Sequence, residues 1–114
     1  MFRGYGDDYM QLDHERLSCP FTLHQGEINK LTDLEKLADL SPEHIRPLLD
    51  PRPEVLLIGS GRYTAFPEPA VMQLLDTTRV GFECMDSRSA ARTYNILVGE
   101  GRNVSLLMLL PAAR

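Results

Sequence analysis

The chain has 114 residues, 43% hydrophobic and 25% charged, with two cysteines, no tryptophan and a net charge of −4 at pH 7. That length suits one domain and leaves no room for two, and so ordinary a composition argues against a disordered or disulfide-stapled chain. The mildly acidic balance argues against nucleic acid as a partner, because that affinity rests on neutralising phosphates.

Charge is unevenly placed. Residues 1–60 carry eleven carboxylates against six basic groups, whereas residues 61–114 carry five against six, all of the latter arginine. Arginine alone suits planar recognition of carboxylates or phosphates, and a solvated surface in an arginine-rich genome accounts for it as well. Cys19 and Cys84 have no C-x-x-C spacing, and His14, His24 and His44 have no metal-ligand spacing, so no metal or other cofactor is expected. The histidines are expected on the surface. The first residues lack the apolar core of a secretory signal. The apolar run Leu106 to Leu110 is far short of the ~20 residues of a membrane helix. The expectation is a cytoplasmic protein with no membrane span.

In chain order, Tyr9 to Leu12 and the alternating residues 17 to 23 predict a hairpin turning at Asp13-His14-Glu15. Pro20 puts the second strand at an edge or a bulge. Another short strand is expected around Glu27 to Asn29. Thr32-Asp33-Leu34-Glu35 reads as a capping box opening a helical turn. Ser41-Pro42 starts a firmer helix, with Ile45, Leu48 and Leu49 on one face and Asp50 to Pro53 ending it. Val55 to Ile58 reads as a strand buried on both faces. Next come a helix over Pro67 to Asp76, a strand over Val80 to Met85, a helix over Ser87 to Val98 and a strand over Val104 to Leu110. Such alternation implies crossover connections. The fold class is therefore α/β, a single layered domain over 1–114. Its central sheet is mixed and mostly parallel, flanked by helices. A β-hairpin region fills 1–31 and the α/β core 53–110.

Parallel strands at 55–58 and 80–85 bring Gly59, Ser60 and Gly61 to the same sheet edge as Asp86, Ser87 and Arg88, where open α/β sheets bind ligands. Gly59-Ser60-Gly61 is an incomplete dinucleotide fingerprint, since Thr64 stands where its third glycine belongs. The glycines also fit a plain tight turn, and Asp86 or Ser87 a helix cap. Arg88, Arg92 and Asn95 share a helix face opposite the stripe Ala90, Tyr94, Leu97 and Val98. That face is either a grip for an anionic partner or merely solvated. Glu83, on a strand with both faces covered, is expected to be partly buried and paired with Arg88 or Arg102.

The motifs Pro53-Glu54-Val55-Leu56-Leu57-Ile58-Gly59-Ser60-Gly61, Gly81-Phe82-Glu83-Cys84-Met85-Asp86-Ser87, and Arg92-Thr93-Tyr94-Asn95 with Glu100-Gly101-Arg102-Asn103-Val104 resemble the MTH-like family of unknown-function domains. Its animal members include a mitochondrial respiratory complex I assembly factor and an adipogenesis-associated cytosolic protein. The resemblance implies a layered α/β fold with a central mixed sheet, and neither an established activity nor an established cofactor. Ser60 and Ser87 stand where the family often has threonine, which keeps the hydroxyl. The favoured expectation is a non-catalytic factor whose partner is another protein, assisting assembly of a complex. The alternative is a domain, enzymatic or not, that holds a small anionic ligand at the Gly59/Asp86 edge.

Overall fold

In a computed structural model, which describes residues 1–114, the apolar run after Glu54 becomes a central strand, as its unbroken hydrophobicity requires. Eight strands form two sheets. The smaller is antiparallel, with β1 (Phe2–Gly6), β2 (Tyr9–Leu12) and β3 (Arg16–Leu17) side by side. The larger holds β4 (Phe21–His24), β5 (Glu27–Lys30), β6 (Val55–Gly59), β7 (Gly81–Met85) and β8 (Val104–Met108) in the order β5-β4-β8-β6-β7. β6 is parallel to β7 and β8, while β4 is antiparallel to β5 and β8, so the sheet is mixed. The helices are α1 (Pro42–Ile45), α2 (Pro69–Thr78) and α3 (Ser87–Gly99), with 3₁₀ turns at Leu37–Asp39 and Arg46–Leu49.

Alternation along the strands divides the apolar side chains between two cores. Leu56, Ile58, Leu107 and Leu109 join Leu34, Ile45, Val71 and Leu75 beneath α1 and α2. Leu57, Leu106 and Met108 join Phe2, Met10, Leu17 and Phe21 on the other side, where α3 contributes Ala90 and Ala91. Small residues at these α3 positions let the helix lie close on β6. Truncating a central leucine such as Leu57 to alanine should cost about 2–5 kcal/mol, the range for buried cavities. No helix is long and apolar enough to cross a membrane.

Several boundaries differ from the sequence reading. The expected strand over 17–23 is two strands in different sheets, broken at Ser18-Cys19-Pro20. Pro20 has no amide for a ladder, and its carbonyl instead accepts from Leu31 N at 2.8 Å. Thr32 to Glu35 forms no helix, and the turn appears at Leu37–Asp39. α2 begins at Pro69 rather than Pro67, because proline holds the preceding residue, Glu68, extended at ψ 154°. His24 and His44 are half-buried rather than on the surface. His24 Nδ1 lies 2.6 Å from Ser105 Oγ and its Nε2 3.0 Å from the Asp50 carbonyl, tying the 46–50 turn to the sheet. His44 accepts from Ser41 N at 3.0 Å and meets Asp33 at 3.1 Å, closing the cap of α1.

Candidate functional site

The parallel register sets Gly59 opposite Met85, so the turn after β6 and the start of α3 meet at one sheet edge, as the sequence implies. Two buried hydroxyls weld that edge. Ser87 Oγ, fully buried, donates to the Leu109 carbonyl at 2.6 Å and accepts from Gly61 N at 2.9 Å. Ser60 Oγ lies 2.6 Å from the Tyr63 carbonyl and 3.0 Å from that of Met85, and accepts from Ala65 N at 3.3 Å. Gly61, at φ 103°, presses against the backbone of Ala113, so no side chain fits there.

This welding leaves the turn no free amide among residues 60–62 with which to hold an anion. Ser60 N donates to the Met85 carbonyl, Gly61 N to Ser87 Oγ and Arg62 N to the Ala113 carbonyl. A phosphate-binding turn points free amides at its ligand, whereas these three are all spent on the chain itself. Asp86 caps α3, accepting from Ser89 N at 3.0 Å and Ser89 Oγ at 2.7 Å. Burial pushes its carboxyl pKa up, but the hydrogen bonds from Ser89 outweigh burial, with the Arg92 charge assisting, and the net direction is downward. The edge is thus a structural joint. Gly59, Ser60, Gly61, Asp86 and Ser87 are brought together to close it.

Glu83 is exposed, not buried, and the suggested partners are engaged elsewhere: Arg102 with Glu54 at 2.6 Å and Arg88 with Asp7 at 2.8 Å. The reason is strand order. β7 is an edge strand, and α3 lies chiefly over β6 and β8.

The face of Arg88, Arg92 and Asn95 is neither free nor merely wet. Asn95 accepts from Phe2 N and donates to the Phe2 carbonyl, both at 2.8 Å, as a neighbouring strand would. Arg92 donates to Tyr5 Oη at 2.8 Å, and the Arg88 guanidinium lies 5.7 Å from the Tyr5 ring centre. Phe2 packs edge-on against Tyr94, with ring centres 5.5 Å apart. These residues dock β1, and with it the small sheet, onto α3.

Two features at the same end of the molecule escaped the sequence reading. The loop from β6 to α2 presents Tyr63 and Phe66, 69% and 66% exposed. Their signal was available as two aromatics in a stretch bounded by glycine and proline. Nearby lies a cleft of about 490 Å³ whose lining includes Asp7, Asp8, Cys19, Leu34, Glu35 and Ala113. Its residues come from four separate segments, so no spacing announces it. No three histidine, cysteine, aspartate or glutamate side chains gather as a metal ion requires. The Ser105–His24 pair has the atoms of a nucleophile and base, but Ser105 is fully buried and out of a substrate's reach.

A family model described as a protein of unknown function, DUF498/DUF598, matches residues 2–109. The chain belongs to this family. Solved structures share the fold described above. A crystal structure from Bordetella parapertussis is 33% identical, with a TM-score of 0.86, over 96% of this chain and 94% of that one. A Mth938-like domain from Bordetella pertussis is 27% identical, with a TM-score of 0.83, over 99% and 87%. The MTH-like resemblance of the sequence is therefore shown. Among curated relatives, the 13 kDa major membrane protein of Francisella tularensis is 28% identical over 95% of this chain and 89% of its own length. The mouse NADH dehydrogenase [ubiquinone] 1 alpha subcomplex assembly factor 3 is 31% identical over 56% of this chain, which spans 35% of that protein. The Xenopus tropicalis factor of the same name is 29% identical over 81% of this chain and 48% of its own length.

Proposed function

We propose that this chain is a non-catalytic protein-binding factor that assists assembly of a larger complex, and that it meets its partner through the β6–α2 loop. One observation carries the reading. Tyr63 and Phe66 stand exposed on a loop whose backbone is held by the Ser60 hydroxyl and by Thr64, whose Oγ1 accepts from Asp86 N at 3.3 Å. Large aromatics on a preorganised loop form binding hot spots, because little freedom is lost when they are covered. Kinship with the assembly factors supports a protein as the partner. The free thiols of Cys19 and Cys84 support a reducing compartment, and we place the protein in the cytoplasm.

The test is site-specific cross-linking in the source cell. A photoreactive residue at position 66 should capture one protein in a discrete product, and the same residue at exposed position 77 should not. Tyr63→Ser with Phe66→Ser should weaken binding of the captured protein by about 2 kcal/mol or more while leaving folding within about 0.5 kcal/mol. Equal products from both positions, or undiminished binding by the double variant, would overturn the reading.

A further inference from the structure

The cleft beside the aromatic loop is the largest in the molecule, and we propose that it receives an extended segment of the partner in which lysine or arginine alternates with aliphatic residues. This rests on the protein-binding reading above and names the chemistry of what is bound. The walls are the β1–β2 turn, the crossover from β3 to β4, the stretch from Leu31 to Glu35 and the tail from Leu110 to Ala113. Pro20, Leu31 and Leu34 give it a buried apolar floor, and about 490 Å³ holds a few side chains.

The charge of the rim selects the sign of the occupant. Asp7, Asp8 and Glu35 are exposed there, and no lysine, arginine or histidine lines the cleft. Arg88 takes part of the Asp7 charge, whereas Asp8 and Glu35 make no ion pair. The carboxylates do not converge as metal ligands do, so separated positive charges match them better than one ion.

The backbone of one wall selects a peptide over a small amine. Ser18 and Cys19 run between the two sheets and belong to neither, and their amides and carbonyls are absent from the hydrogen bonds joining turns and loops. Unpaired main-chain groups beside an apolar floor are what an added extended segment uses, its backbone for affinity and alternate side chains for specificity. Arg62 N donates to the Ala113 carbonyl, so the aromatic loop and the cleft wall share a junction and one partner can cover both.

Short fluorescent peptides test this: one alternating leucine with lysine, one leucine with glutamate and one serine with lysine. At about 0.15 M salt the leucine–lysine peptide should bind at least ~10-fold more tightly than either control. It should also protect Cys19 from iodoacetamide, a reading kept clean near neutral pH because burial pushes the Cys84 thiol up to about 11. Asp8→Asn with Glu35→Gln, both at exposed positions, should weaken binding by about 10-fold without altering the melting temperature. Equal binding of all three peptides, no protection of Cys19, or indifference to the double variant would overturn the proposal. A successful cross-link from position 66 alongside any of these results would leave the protein-binding reading standing and remove only the cleft. Loss of both would remove both.

Discussion

Replacing Asn95 by alanine removes both hydrogen bonds through which α3 holds the start of β1, each 2.8 Å long. A hydrogen bond inside a protein contributes about 0.5–1.5 kcal/mol net, so the pair contributes about 1–3 kcal/mol. Both are only part-buried, and water can re-solvate the Phe2 backbone, which places the expected loss near the middle, at about 2 kcal/mol. A second route exists. The strand end can fray, taking the buried Phe2 ring away from Tyr94 and Phe21 at a cost of about 1.5–3 kcal/mol of apolar burial. Fraying forfeits that burial and leaves the rest of the core in place, so it caps the global loss near the same value. Urea unfolding should show a loss of about 2 kcal/mol, and melting should fall by about 8 °C. Hydrogen exchange at Phe2 to Gly6 should accelerate while β6 and β8 keep their protection. A stability within about 0.5 kcal/mol of wild type, with unchanged exchange in β1, would refute α3 as the anchor of the small sheet.

Three further perturbations concern Ser87, Glu83 and Asp86. Ser87→Ala leaves the Gly61 amide and the Leu109 carbonyl without their buried partner, and should cost about 1–3 kcal/mol by chemical denaturation. Glu83→Ala should stay within about 0.5 kcal/mol, because the side chain is exposed on an edge strand and makes no ion pair; a larger loss by the same measurement would mean it has a partner. Asp86 has a folded pKa below its ordinary value, so its contribution is complete above about pH 4 and is lost as pH falls through the folded value. Asp86→Asn keeps an acceptor for Ser89 N but does not titrate, and should flatten that part of the acid limb in a stability–pH series.

The carboxyl-terminal half of the fold was legible because each element carries its own signal. Val55 to Ile58 has no polar interruption, Asp86 supplies a cap that accepts from Ser89 N, and Ala90 with Tyr94, Leu97 and Val98 marks the packed face of α3. The amino-terminal half was less so. β1 contains Gly4 and Gly6, which lack strand propensity, and it exists because Asn95, 93 residues from Phe2, offers it a backbone-like partner. Ser18-Cys19-Pro20 continues the strand alternation in sequence, yet only tertiary context sends its two ends to different sheets. The joint at Gly59, Ser60, Gly61, Asp86 and Ser87 was located correctly from strand direction. Its closure was hidden, because the tail that fills it arrives from residues 109–113. Glu83 was misplaced for want of strand order, which no local pattern encodes.

The last of the eight strands sits in the middle. β8 lies between β4 and β6, so the β4–β5 hairpin and the β6–α2–β7 unit have no shared border until Val104–Met108 is synthesised. During translation each piece carries an unpaired edge, and the contacts that join them span most of the chain. Such topology slows folding and leaves nascent edges open to other chains. The sheet therefore cannot zip before β8 is made, and a chain stopped before Val104 would be two adhesive fragments rather than a shortened domain.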